Sequence, residues 1–180
     1  MKKNILFLAL ITAALFFQPV SILAENRLIQ SAPNNMISVL SPVFPNGGDI
    51  PAKFTCDGAN AIPELNISDV LPEAKSLAII VDDPDAPNGI FNHWVIWNID
   101  PSLKKINSSD LGGSTNGRNS AGKNDYVGPC PPNGTHRYFF KVYALDEKLD
   151  LDRNSVRDDL VRAMEGHIIS QGELMGKYGR

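Results

Sequence analysis

The sequence has no excess of basic residues: 17 lysines and arginines stand against 20 acids, a formal net charge of −3. Without a basic stripe to neutralise a phosphate backbone, no nucleic-acid partner is expected. Past residue 24 no apolar run approaches the ~20 residues that a helical membrane span requires, so no stable membrane insertion is expected either. Neither C-x-x-C nor H-x-x-x-H occurs, and the sequence implies no metal and no cofactor. The nucleophile pattern G-x-S-x-G is missing too, because Gly112-Gly113-Ser114-Thr115-Asn116 lacks the second glycine and sits in loop-like sequence. Conventional catalysis is therefore not expected. The chain has no internal repeat, and it holds only two cysteines, Cys56 and Cys130.

The N-terminus carries an export pattern. Lys2 and Lys3 form a positive start, Ile5 to Phe17 an apolar stretch, and Ile22-Leu23-Ala24 a site for cleavage after Ala24. Residues 1–24 then read as a signal peptide, 25–35 as a flexible leader, and 36–180 as one domain large enough for a real core. Cleavage would remove Lys2, Lys3 and no acid, taking the formal charge from −3 to −5. The expected location is periplasmic or secreted. An oxidising compartment permits a Cys56–Cys130 disulfide, worth about 4–5 kcal/mol by the chain-entropy argument, but the sequence leaves two free buried thiols equally open.

The domain reads as mostly β. Residues 36–44 alternate loosely before the turn Pro45-Asn46-Gly47-Gly48. Residues 76–82, 91–100 and 138–146 are apolar runs rich in β-branched and aromatic residues, as buried strands are. Between the last two, residues 101–135 form a long loop region, a length usually associated with function. One helix is predicted from an Asn154 cap to Gly166, with Val156, Leu160, Val161 and Met164 on one face. A last strand is expected within 167–178.

Four features carry chemistry. Asp82-Asp83-Pro84-Asp85-Ala86-Pro87 ends the first of those strands, where aspartate and proline would also suit an ordinary turn. His93 opens the next strand, and strict alternation places it with Val95, Trp97 and Ile99, opposite Asn92, Trp94 and Ile96. Of Trp94 and Trp97, one is expected in the core and the other at the pocket. Tyr126-Val127-Gly128-Pro129-Cys130-Pro131-Pro132 is a stiff loop whose glycine allows close approach. His136-Arg137-Tyr138 begins a further strand with His136 and Tyr138 on one face. If 76–82 and 92–99 are antiparallel neighbours and the 136 strand runs parallel to the latter, all four features meet at one end of the sheet. Aspartates would then orient imidazoles, and imidazole and phenol donors would face an anion. His93, His136 and Asp83 or Asp85 would also make a two-His-one-carboxylate metal set. A His–Asp hydrogen bond accounts for the same residues. His167, at the helix end, suits dipole stabilisation better than ligation.

The D-P-D-A-P segment, the H-W pair and Y-V-G-P-C-P-P-N-G-T-H-R-Y, in this order, resemble the phosphatidylethanolamine-binding protein family. F-T-C-D-G-A-N at 54–60 and G-E-L-M-G-K-Y at 172–178 resemble its bacterial Raf-kinase-inhibitor-like branch. The resemblance implies a β-sandwich-like fold with a large central antiparallel sheet, a smaller second sheet and one or two peripheral helices. It also implies a pocket for a small anionic or phosphoryl-bearing ligand, lined by Asp83, Asp85, Pro87, His93, Gly128, Pro129, His136 and Tyr138. A protein partner, inhibited through that pocket, is the alternative it leaves open.

Overall fold

The computed structural model describes residues 36–180. The expected signal peptide and leader lie outside the described residues. Strand β1 (Ser38–Leu40), β2 (Leu65–Ser68) and β5 (Lys105–Ile106) form a small antiparallel sheet in the order β1-β2-β5. The larger sheet has the order β6-β4-β3-β7-β8, built from β3 (Ser76–Asp83), β4 (Phe91–Ile99), β6 (Thr115–Asn116), β7 (Thr135–Leu145) and β8 (Ile168–Gly179). Every neighbouring pair in it is antiparallel. The expected large and small sheets are thus both present.

Strand β3 sits at the centre of the large sheet, and all eight of its residues are buried. Its side chains divide by alternation. Leu77, Ile79 and Val81 join Val39, Leu65, Ile67 and Ile106 in the core between the sheets, whereas Ala78 and Ile80 pack with Leu160 and Met164 of the helix on the other face. A continuous apolar run is what a strand covered on both faces requires. β2 was not singled out in the sequence, because four residues reading Leu-Asn-Ile-Ser beside Pro63 offer too short a period.

The helix α1 spans Arg157–Met164, starting later than an Asn154 cap would place it. Two local bonds explain the delay. Asp152 Oδ1 accepts the Asn154 N–H at 2.7 Å, closing a turn, and the Ser155 carbonyl accepts the Arg118 N–H at 2.9 Å, holding the chain extended. The Asp159 carboxylate caps the Val156 N–H instead, at 2.9 Å. Gly166, at φ +82°, lets the chain turn out of the helix as expected. His167 lies against Asp146 and Glu147, at 2.9 and 3.4 Å, a side-chain pairing in place of the expected helix-end role.

Candidate functional site

The end of β3 and the turn after it hand three aspartates to different partners. Asp82 turns to the helix side of the sheet, where Lys141, Arg157 and the Asn92 amide surround its carboxylate. Asp83 points the other way. Its carboxylate accepts the Asp85 N–H at 2.8 Å and, in a buried setting, the His136 Nδ1–H at 2.7 Å. Asp85 is more open and binds Arg137 through its guanidinium and its main-chain N–H. That guanidinium pushes the Asp85 carboxyl down to about 2. Asp83 therefore orients an imidazole, while Asp85 ties the turn to β7 and orients none.

His93 departs from strict alternation, and the reason is a bulge. Val81 pairs with Trp94, but the next residue, Asp82, pairs with Asn92, leaving His93 as the extra residue of β4. Its ring meets Tyr138 edge-on at 5.2 Å and Phe91 at 4.8 Å. Tyr138 belongs to the inter-sheet core with Trp94 and Ile96, not to the helix-side core of Val95 and Trp97. A second shift, between the Leu77 and Ile79 pairings and beside Asn98 at φ +59°, moves Ile99 to the inter-sheet core as well. Trp94 and Trp97 are both wholly buried and neither lines a pocket at His93, so the expected division between core and pocket does not occur. Burial drives the His93 imidazole below its ordinary value, an effect opposed by its bond to Val127.

The loop 126–132 forms the facing wall. Val127 donates its N–H to the His93 carbonyl at 3.0 Å and accepts the His93 Nδ1–H at 2.6 Å. Asn60 brackets the same loop, donating to the Tyr126 carbonyl and accepting the Gly128 N–H at 2.7 Å. Gly128 has no room for a side chain: a Cβ there would lie 2.5 Å from the Phe54 carbonyl oxygen and 2.8 Å from Thr55 Cα. Cys56 and Cys130 are joined in a disulfide, fixing the wall to the segment that begins at the short turn Ala52–Phe54. Pro129 supports this join, its carbonyl accepting the Cys56 N–H at 3.1 Å, but it is not itself part of the cavity surface. Near the wall, Tyr178 and Arg180 both bind the Asp57 carboxylate, and Arg180 reaches Cys130 Sγ at 3.7 Å.

These parts enclose a cavity of about 140 Å³. Asp83, His93 and His136 open into it, with Pro87, Phe91, Val127, Gly128 and Cys130 among its walls. The volume is near the ~150 Å³ that holds a benzene-sized molecule and well below the roughly 300–1,000 Å³ of pockets for drug-sized ligands. β4 and β7 flank β3 and run parallel to each other, which is what brings His93 and His136 to one end. Tyr138 stands behind His93 rather than in the cavity. It is wholly buried, its hydroxyl has no partner among the described residues, and burial and the Asp83 charge push its phenol up.

The two imidazoles share a feature that chemistry makes decisive. A carbonyl and a carboxylate can only accept, so both Nδ1 atoms are donors, and each Nε2 is a lone-pair acceptor in a neutral ring and a donor in a protonated one. The main chain adds few donors: the Gly128 and Val127 amides are committed, and Pro87, Pro131 and Pro132 have none. Among the described residues no group of three or more His, Cys, Asp or Glu is arranged to hold a metal ion.

The model of the phosphatidylethanolamine-binding protein family matches residues 40–179. The chain belongs to that family. A UPF0098 protein of Methanothermobacter thermautotrophicus is 48% identical over 143 residues, 76% of this chain and 95% of that one. A UPF0098 protein of Archaeoglobus fulgidus is also 48% identical over 143 residues, although the chain spans about half of its length, 49%. The crystal structure of a phosphatidylethanolamine-binding protein homologue from Chlamydia trachomatis superposes with a TM-score of 0.77 at 40% identity, covering 81% of this chain and 99% of that one. YbcL of Escherichia coli, described as a new member of the mammalian family, gives 0.75 at 30% identity over 80% and 98%.

Of the residues expected at the family's pocket, the cavity thus gathers Asp83, Pro87, His93, Gly128 and His136, and places Asp85, Pro129 and Tyr138 around it. Asn60 and Val127 are the positioning residues that the sequence did not reveal. Asn60 lies 68 residues from the amide it holds, and the Val127 contact is made by main-chain atoms, which leave no side-chain signature.

Proposed function

We propose that this member of the phosphatidylethanolamine-binding protein family binds a small phosphoryl-bearing or other compact anion and does not catalyse a reaction. The observation that carries the reading is the pairing of two buried imidazoles across one small cavity, one ring held by a carboxylate and the other by a carbonyl. Neither ring has a serine, threonine or thiol as a hydrogen-bond partner, and the nearby Cys130 is tied in a disulfide. An activated nucleophile would need such a pairing. The limited volume favours a head group or free anion over a whole lipid.

Export with cleavage after Ala24 belongs to the same proposal. It is supported by the Lys2–Lys3 and apolar pattern and by a disulfide whose two cysteines are exposed, since such bonds persist in oxidising compartments. Among the described residues no helix is long and apolar enough to cross a membrane.

Calorimetric titration of residues 25–180 with inorganic phosphate and with phosphoethanolamine tests the binding. Saturable binding lost in His136→Ala is expected, and tighter binding of phosphoethanolamine would identify the head group rather than the free anion. Equal affinity of the folded His136→Ala variant and the wild type for both compounds would refute the assignment.

A further inference from the structure

The anion reading meets a difficulty in the wall itself. With both rings neutral, an incoming anion faces two Nε2 lone pairs and the Asp83 carboxylate, with few main-chain donors to offset them. Burying a charge without donors is strongly unfavourable. The nearby cations do not supply the deficit: Arg137 is engaged by Asp85, and Arg180 by Asp57. One proton on either ring would turn an acceptor into a donor and add a positive charge.

Resting on the proposed function, we propose that the pocket takes up its anion together with one proton, carried on His136. His136 is the ring with a counter-ion in place, for Asp83 Oδ2 lies 2.7 Å from its Nδ1. His93 has a neutral carbonyl as its direct partner, feels the Asp83 charge only through space, and keeps its Nε2 as an acceptor. The ionisable groups around His136 come from every neighbouring element. Asp83 and Asp82 end β3, Asp85 follows it, and His93 lies on β4. Arg137 and Tyr138 flank His136 on β7, and Tyr178 of β8 pairs with it in register. Tyr178 is bound to Asp57, which also holds Arg180. Asp82 is occupied across the sheet by Lys141 and Arg157, and Asp85 by Arg137. The Asp83–His136 pair is left as the unit that can accept a proton next to the cavity.

The ligand class follows. The pocket selects a compact oxyanion that comes with a proton or draws one from solvent, and it loses that ligand as the medium becomes alkaline. The sign is fixed by linkage: the bound state holds one more proton than the free protein, so affinity rises as pH falls.

Sulfate is the probe, because it carries no proton of its own in this range. Its binding to the wild-type protein is measured by calorimetry at about pH 6, 7 and 8, the range in which histidine titrates, in buffers of high and low ionisation enthalpy. The expected result is uptake of about one proton per sulfate and an affinity that falls by about tenfold per pH unit on the alkaline side. His136→Gln should abolish both effects, and His167→Gln, remote from the cavity, should keep the slope. The wild-type measurement needs no variant, so a misfolded substitution does not spoil the test. Sulfate binding that is independent of pH, or a slope surviving in His136→Gln, overturns proton coupling but leaves an anion pocket. No binding of sulfate or phosphate at any pH overturns the pocket assignment itself.

Discussion

Replacing Gly128 by alanine should cost about 2–4 kcal/mol of stability and weaken anion binding as well. The added Cβ would lie 2.5 Å from the Phe54 carbonyl oxygen, 2.8 Å from Thr55 Cα and 2.9 Å from Asn60 Oδ1. Ordinary contact begins near 3.4 Å, so the wall must retreat by about 0.9 Å. Two of the three opposing atoms are main chain, and no rotamer change can relieve them. Overpacking of this kind costs about 1–3 kcal/mol. The same retreat stretches the 2.7 Å bond from the Gly128 N–H to Asn60, adding the ~1 kcal/mol of a lost hydrogen bond. At about 2–4 °C per kcal/mol for a chain of this size, the melting temperature should drop by about 5–15 °C. Val127 moves with Gly128, so the 2.6 Å support of His93 loosens and phosphate binding weakens. Thermal melting followed by circular dichroism, with a phosphate titration on the folded variant, reads both effects. Gly112→Ala is the control, since nothing lies within 4 Å of its added Cβ and its φ is unrestrictive; it should stay within about 0.5 kcal/mol of wild type. If Gly128→Ala melts and binds like Gly112→Ala, the close approach of wall and turn is wrong.

The pair Cys56→Ser with Cys130→Ser opens a loop with a sequence separation of 74, which the chain-entropy relation values at about 4–5 kcal/mol; urea unfolding should show a loss of that order, and a loss below about 1 kcal/mol would contradict it. Asp83→Ala removes the partner of a buried imidazole and should cost about 1.5–3 kcal/mol, whereas Asp85→Ala breaks a pair whose side chains are 52% and 28% exposed and should cost under about 1 kcal/mol; equal losses in denaturant titrations would refute this ranking. His93 has a folded value below the unfolded ~6.5, so the unfolded chain binds the extra proton as pH falls. Its contribution is complete above that value and is lost on acidification towards the lower folded one. Ligand-free stability should therefore decline below about pH 6.5, and His93→Gln should flatten that decline in pH-dependent melting.

The three long strands were legible because the runs at 76–82, 91–100 and 138–146 are long and strongly apolar. The short connection between the first two pointed to an antiparallel pair, whereas the direction of the third, reached through the long segment after β4, is set by its pairing with β3. What escaped was set by distant or main-chain contacts. The bulge at His93 exchanges one face for another without any mark in the local sequence. The start of α1 depends on the Asp152 turn and on the Arg118 main chain, against the preference of asparagine for a cap. Asp85 has the same residue type and nearly the same position as Asp83, and only the approach of Arg137 separates their roles.

The double burial of β3 has a consequence for how a ligand would be felt. Amides of a strand hydrogen-bonded on both edges and covered on both faces exchange with solvent only when the whole domain opens, whereas loop amides exchange through small local openings. Asp83 closes the first kind of element, and residues 126–132 belong to the second. A bound anion should therefore slow deuterium uptake chiefly along that loop while leaving β3 unchanged short of global unfolding. Ligand binding would then be read at the few amides of a stapled loop wall, while the strand that ends in Asp83 stays silent.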